Sequence, residues 1–340
     1  MKSTTITAFM MAAVVSATAV PGASPAAAQE TTMRIGNVTA HDTQATLNDM
    51  LGELSSKYSN GRIKSSVSHG GALGNSLQML AAMQAGGLQG MISPSFIISG
   101  IVPEVSVFDM PFAIEKVEPK QITAFIQQSE AAKKIWELAE TKGIHILGMS
   151  GVGPQNFLTS FKIEKASDFK GRKFAVNYSP PRIGMIKDWG GVTRNMGLGQ
   201  WYTSIQQHLI DGFDLPPDVL YRMKFHEVAK YYTVTNHVVL IETIYTSKKW
   251  FDGLPKDLQE AVNKAAHETI GAADGLFTKS QAGGLAALKK AITVTEMPSA
   301  ELAKLKAMVK KGTWERMADD PKLGPLVKLL EGDIARFNKN

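Results

Sequence analysis

The chain of 340 residues carries 37 Lys and Arg against 31 Asp and Glu, a formal charge of +6, with 44% hydrophobic and 20% charged residues. That balance excludes a largely disordered or fibrous chain and leaves length for one large core or two smaller ones, while so mild a basic excess does not mark a nucleic-acid partner. Cysteine is absent, which removes disulfides, thiolate nucleophiles and cysteine-held metals from consideration.

Lys2, an apolar run from Ile6 to Val20, the breaker Pro21-Gly22 and then Ala26-Ala27-Ala28 read as an export signal cleaved after Ala28. The run is short for a membrane span. Export to the periplasm of a soluble chain is the expectation.

Beyond the signal, strands and helices alternate. Met33 to Val38 reads as a strand, and Gln44 to Tyr58 as a helix with Leu47, Met50, Leu51, Leu54 and Tyr58 on one face. Asn60-Gly61 stops it. A strand from Arg62 to Ser68, a Gly70–Gly74 loop, a short helix capped near Asn75 and a strand from Leu88 to Ile92 complete a layered α/β pattern. One long helix is expected from about Pro119 to Thr141, then a strand from Ile144 to Met149. Gly148, Gly151, Gly153 and Pro154 read as the first crossing between lobes. Strands follow at Phe157–Phe161 and Arg172–Asn177, helices at Pro181–Trp189 and Thr203–Leu209, and a very short strand at Phe213–Leu215. Asn236 to Thr246 is the strongest late strand. Pro255 opens a long helix to about Ser280, which Gly271 and Gly275 are placed to interrupt. A last strand, Ile292–Glu296, precedes helices at Ser299–Lys310 and Leu323–Phe337.

Catalytic motifs are mostly missing. No dinucleotide fingerprint, phosphate loop, nucleophile elbow or H-E-x-x-H motif occurs. His41-Asp42 lies in a strand-to-helix loop and reads either as a ligand contact or as a solvated cap. His237, at the start of an apolar strand, reads as a structural or a cleft-facing histidine. Trp201-Tyr202 and Phe213 suit the wall of an organic solute or core packing. Arg182, at a helix start, suits a carboxylate or the surface.

Several segments in order resemble the solute-binding proteins of tripartite ATP-independent periplasmic (TRAP) transporters. They are Asn60-Gly61-Arg62-Ile63 with the glycine loop after it, Ser106-Val107-Phe108-Asp109-Met110-Pro111-Phe112, and Ser167 to Phe174. Gly199-Gln200-Trp201-Tyr202, Ile210-Asp211-Gly212 and Trp250 with Leu254-Pro255 complete the set. The resemblance implies an α/β, two-lobed periplasmic solute-binding fold with a ligand cleft between lobes and a long late helix. It further implies delivery of a small organic solute to membrane permease subunits, with no catalysis. The expected organisation is a signal peptide over 1–28, lobe 1 over 29–153, lobe 2 over 154–236, a return segment with the long helix over 237–290, and a C-terminal strand and helices over 291–340. No cofactor, metal or nucleic acid is expected, and a monomer is.

The departures from the family pattern are as informative. Where the family places a carboxylate-binding arginine, this chain has Ala175. A second family arginine falls on Asn156 or Gln155. The family's Glu becomes Asp214, its ligand-facing Asn becomes Leu215, and an aromatic becomes Leu198. Losing a five-donor guanidinium weakens a carboxylate clamp, unless Arg182 or Arg194 substitutes. A bulky or aromatic organic acid, or a neutral solute, then moves ahead of a small dicarboxylate. The expected ligand-binding set is Asn37, His41, Asn156, Asn177, Arg182, Leu198, Trp201, Phe213, Asp214, Leu215 and His237. A ligand sensor, or an exported enzyme using His41 or His237 with Asp214, are the rival readings.

Overall fold

The computed structural model describes residues 30–338 apart from 177, so the proposed signal peptide and Asn177 lie outside the described residues. The strands are β1 (Thr31–Gly36), β2 (Ile63–Ser68), β3 (Gly90–Pro94), β4 (Ile144–Thr159), β5 (Lys173–Val176), β6 (Val192–Asn195), β7 (Gly212–Leu215), β8 (Tyr231–Ser247) and β9 (Thr293–Glu296). They join in the order β2-β1-β3-β8-β4-β7-β5-β6, with β9 on β8.

Two strands belong to both halves of this sheet. β4 and β8 run antiparallel for almost their whole lengths, from Ile144 opposite Ser247 to Thr159 opposite Tyr231. One end of the pair carries β3, with β1 and β2 parallel beyond it. The other end carries β7, β5 and β6 on the β4 side and β9 on the β8 side. The register slips between Ile146 and Gly148, between Gly151 and Gly153, and between Gln155 and Phe157. Such bulges bend and twist a strand without ending it. The glycine-rich crossing is thus continuous strand, and the two strands expected at Ile144–Met149 and Phe157–Phe161 are one.

Packing explains those glycines. A Cβ on Gly151 would stand 2.6 Å from Ile122, and one on Gly148 would stand 3.1 Å from Ile270. Helices therefore lie so close to β4 that a side chain at Gly151 would force a shift and one at Gly148 would need Ile270 to yield.

The helices before this crossing are α1 (Thr43–Tyr58), α2 (Ser76–Gln84), α3 (Ile122–Gln128) and α4 (Glu130–Glu140). Asp42 caps α1 by accepting from Ala45 N at 2.8 Å, and Leu47, Leu51 and Leu54 are buried beneath it. The single helix expected from Pro119 to Thr141 is broken at Ser129. That residue caps α4, and its hydroxyl donates to Asp333 of the C-terminal helix at 2.7 Å. A long-range bond to the far end of the chain overrides local helix propensity here.

After the crossing come α5 (Pro180–Asp188), α6 (Trp201–Gln206), α7 (Pro217–Arg222), α8 (Lys248–Asp252) and α9 (Lys256–Ala291). The last of these has 36 residues and packs on α1, β4 and α7. It runs straight past Gly271 and Gly275, both of which face open space. Helices α10 (Ser299–Val309), α11 (Glu315–Asp319) and α12 (Gly324–Phe337) finish the chain. No helix of the described residues is long and apolar enough to cross a membrane.

The β4-β7-β5 half is apolar on both faces. Phe157 and Phe174 join the main core with Phe169 and Trp189, while Leu158, Ala175 and Phe213 join a second core with Trp201 and Phe225. This is the period-two alternation of strands covered on both sides.

Candidate solute cleft

The halves of the sheet meet at a cavity of about 400 Å³, within the size range of small-molecule sites. Lobe 1 supplies Asp42, Thr43 and Gln44 from the first turn of α1, with Phe96, Ile97 and the glycine loop. Gly70 and Gly71 have φ of +66° and +72°, a left-handed backbone that glycine adopts at little cost. Lobe 2 supplies Tyr178, Arg182, Leu198, Leu215, Asp218 and Val219. The crossing strands add Val152, Gln155, Leu240 and Glu242, and α9 adds Phe277.

Arg182 is the only basic side chain on this wall among the described residues. It is 1% exposed and already engaged. Nη1 donates to Asp214 Oδ2 at 2.9 Å and Nη2 to Asp109 Oδ1 at 3.0 Å. Asp214 Oδ2 also lies 3.3 Å from His237 Nε2, and His237 Nδ1 lies 2.8 Å from the Thr235 hydroxyl. The imidazole stacks on Phe157, centroids 4.4 Å apart. Burial would raise the Asp214 carboxyl, but Arg182 and His237 outweigh it and hold it below the usual carboxylate value. Burial dominates at Asp109, which is pushed up despite Arg182. Burial likewise pushes His237 down against the pull of Asp214, favouring neutral imidazole. The assembly is a buried ion network rather than a catalytic dyad open to a substrate.

The acids on the wall have no such partners. Glu242 is 4% exposed, and among the described residues its side chain accepts only from Gln44 Nε2, at 3.4 Å. Burial pushes its carboxyl well above the usual value, with the charge of Asp42 adding to the rise. Asp218 accepts from the Ser280 hydroxyl on Oδ2 at 2.5 Å, while its buried Oδ1 has no partner. Burial raises this carboxyl as well, again with Asp42 contributing. Two donors of wall residues, Gln155 Nε2 and Arg182 Nε, are likewise buried without a partner among the described residues. Among the described residues, no set of three histidine or carboxylate groups is arranged to hold a metal ion.

Of the residues singled out from sequence, Arg182, Leu198 and Leu215 line the cavity. The others among the described residues are placed elsewhere, for reasons visible in the packing. Trp201 and Phe213 are fully buried in the second core, their rings 4.9 Å apart. Asn156 uses its side-chain oxygen to accept from the Thr235 and Asn236 amides, both at 2.8 Å, and so stitches β4 to β8. Asn37 is buried, within 3.4 Å of His69 Nδ1. His41 sits on an outer groove, its carbonyl accepting from Arg222 Nη1 at 2.7 Å. Asp214 and His237 are enclosed in the ion network just described. Arg194 is exposed on β6 and does not line the cavity. Ala175 is fully buried in the second core. Sequence reasoning missed Glu242, Asp218 and Gln44. The signal for Glu242 was available, as the lone acid in the apolar run Val238–Thr246.

A model of the bacterial extracellular solute-binding proteins, family 7, matches residues 35–320. The chain belongs to that family. The C4-dicarboxylate-binding periplasmic protein DctP of Rhodobacter capsulatus is 29% identical over 293 residues, covering 85% of this chain and 87% of the relative. The ectoine/5-hydroxyectoine-binding periplasmic protein UehA of Ruegeria pomeroyi is 26% identical over 197 residues, 58% of each chain. A TRAP periplasmic solute-binding protein from a Sulfitobacter, solved with bound β-D-galacturonate, superposes with a TM-score of 0.83 at 25% identity, covering 89% of this chain and 100% of the other. The family 7 chain is thus a two-lobed TRAP-type binding protein, a carrier and not an enzyme, that takes up a solute and delivers it to membrane partners.

Proposed function

We propose that this binding protein captures a bulky, largely apolar organic solute in the cleft and hands it to its TRAP permease from the periplasm. The observation carrying this reading is the composition of the wall. Its single guanidinium is occupied by Asp109 and Asp214, while Phe96, Ile97, Leu215, Leu240 and Phe277 present apolar surface. A carboxylate entering beside Glu242 and Asp218 meets two buried acids that offer no countercharge and an arginine already engaged by Asp109 and Asp214. The organic acid expected from the family pattern therefore gives way to a solute whose anionic group, if any, is not its anchor.

Burial of such a solute between the lobes favours the closed form, as hinge closure does in two-lobed binders. The test is a thermal-shift screen of the protein purified without residues 1–28, across dicarboxylates, sugar acids, aromatic compounds and neutral solutes. Selective stabilisation by bulky apolar compounds is expected. The largest shift from succinate or a sugar acid would reject the reading. N-terminal sequencing of periplasmic material tests export, with Gln29 expected as the first residue. Light scattering tests the expected monomer.

A further inference from the structure

We infer that the cleft recognises a positively charged nitrogen, a protonated amine or amidinium on an otherwise apolar solute, through Glu242 and Asp218. The inference rests on the solute-capture reading above and names the chemical class of the solute.

Buried carboxylates are ordinarily paired with a cation or saturated with donors. Asp109 and Asp214 follow that rule by sharing Arg182. Glu242 does not. Leu240 and Glu242 alternate along β8 and both line the cavity. The one donor near the Glu242 carboxylate, Gln44 Nε2, makes its shorter bond of 2.8 Å to the Ile92 carbonyl. Asp218 stands on the facing lobe with Oδ1 buried and unpartnered. Two carboxylates with no cationic partner among the described residues therefore line one cavity from both lobes, each with a single side-chain donor.

The charged and dipolar attractions for an anion are already engaged at this site, and the unpartnered Gln155 Nε2 and Arg182 Nε are buried. The first turn of α1 lines the cavity, but the Asp42 carboxylate caps it, accepting from Ala45 N at 2.8 Å. The only guanidinium has two carboxylates of its own. No three carboxylates or histidines of the described residues converge as metal ligands here. An organic cation satisfies both features of the wall. Its nitrogen supplies the missing donors and its body covers Phe96, Leu240 and Phe277. Burial pushes the Glu242 carboxyl well above its usual value and raises that of Asp218 as well. A cation beside Glu242 favours its ionised form, so binding releases the proton it holds.

Isothermal titration of the purified mature protein with three matched probes tests this directly. The probes are 2-phenylethylammonium, 2-phenylethanol and phenylacetate. The ammonium probe is expected to bind at least about tenfold more tightly than the alcohol, with phenylacetate weakest. Its heat is expected to vary with the ionisation enthalpy of the buffer, reporting proton release. Glu242→Gln and, separately, Asp218→Asn are expected to shrink the ratio of ammonium to alcohol affinity. The ranking in the unaltered protein needs neither variant to fold. An ammonium probe that binds no better than the alcohol overturns the inference, including the case in which it does not bind at all. Tightest binding of phenylacetate overturns the charge assignment but leaves solute capture standing. Failure of every probe together with every compound of the wider screen would count against capture itself.

Discussion

Arg182 Nη1 lies 2.9 Å from Asp214 Oδ2 in a part of the core where neither side chain is more than 3% exposed. With Asp109 as its second partner, this guanidinium holds two buried carboxylates in place. Removing it strands both. Arg182→Met is expected to destabilise the protein by about 3–5 kcal/mol, the usual cost of breaking a buried pair from one side. Urea denaturation followed by tryptophan fluorescence measures it. A loss of solute affinity without loss of stability would show that Arg182 serves the ligand rather than the core.

Glu242 makes stability depend on pH in a defined sense. Its folded-state pKa lies well above the ordinary carboxylate value, so the folded protein holds a proton that the unfolded chain has released. The proton-linked stability is present below the unfolded pKa and is lost as pH rises through the folded one. Asp42 is the charged neighbour that adds to this rise, and Gln44 the donor that opposes it. Glu242→Gln is therefore expected to raise the unfolding midpoint in urea at neutral pH, with a smaller change near pH 4. Equal effects at both values would mean that Glu242 is already ionised in the folded cleft.

Two glycines of α9 are expected to respond in opposite ways. A Cβ at Gly284 would lie 2.4 Å from the Asp218 backbone, where nothing flexible can yield. Gly284→Ala should cost about 1–3 kcal/mol and shift α7, weakening solute binding along with stability. Gly271 faces open space in the same helix, and Gly271→Ala should stabilise by about 0.5–1 kcal/mol. Paired thermal melts separate the two. Similar behaviour at both positions would contradict the close approach of α7 to α9.

Restoring the family arginine should not restore a carboxylate site. Ala175 is fully buried in a core it shares with Trp201, Phe213 and Leu215. A guanidinium there has no water and no free acid to meet. Ala175→Arg is expected to lower the melting temperature sharply, or to prevent folding, without producing succinate affinity. Calorimetry with succinate on any folded fraction gives the answer. Folded protein with new succinate binding would show that this position opens to the cleft.

Much of the architecture was legible because period-two and helical patterns survive wherever local and tertiary demands agree. The Leu47, Leu51 and Leu54 face of α1 and the Pro255 start of the long helix are examples. The misreadings fall where a distant contact decides. Gly148 to Pro154 look like a break from sequence, because the need for bare backbone comes from Ile122 and Ile270 on helices elsewhere in the chain. Ser129 interrupts a helix for the sake of Asp333. The site was harder still. Trp201 and Phe213 carry the residue types of a ligand wall, but a doubly covered sheet needs the same types for its core. Glu242 was overlooked because an acid among Val, Ile and Leu looks like an exception, when burying a charge without a partner is itself the clue.

Because β4 and β8 pass unbroken from one lobe to the other, opening this cleft means bending a pleated ribbon rather than swinging on a loose joint. Strain spreads along the bulged, glycine-bearing stretch as it would along a leaf spring, with the 36-residue α9 alongside as a splint. A residue on this ribbon, nowhere near the solute, can therefore set how readily the cleft shuts.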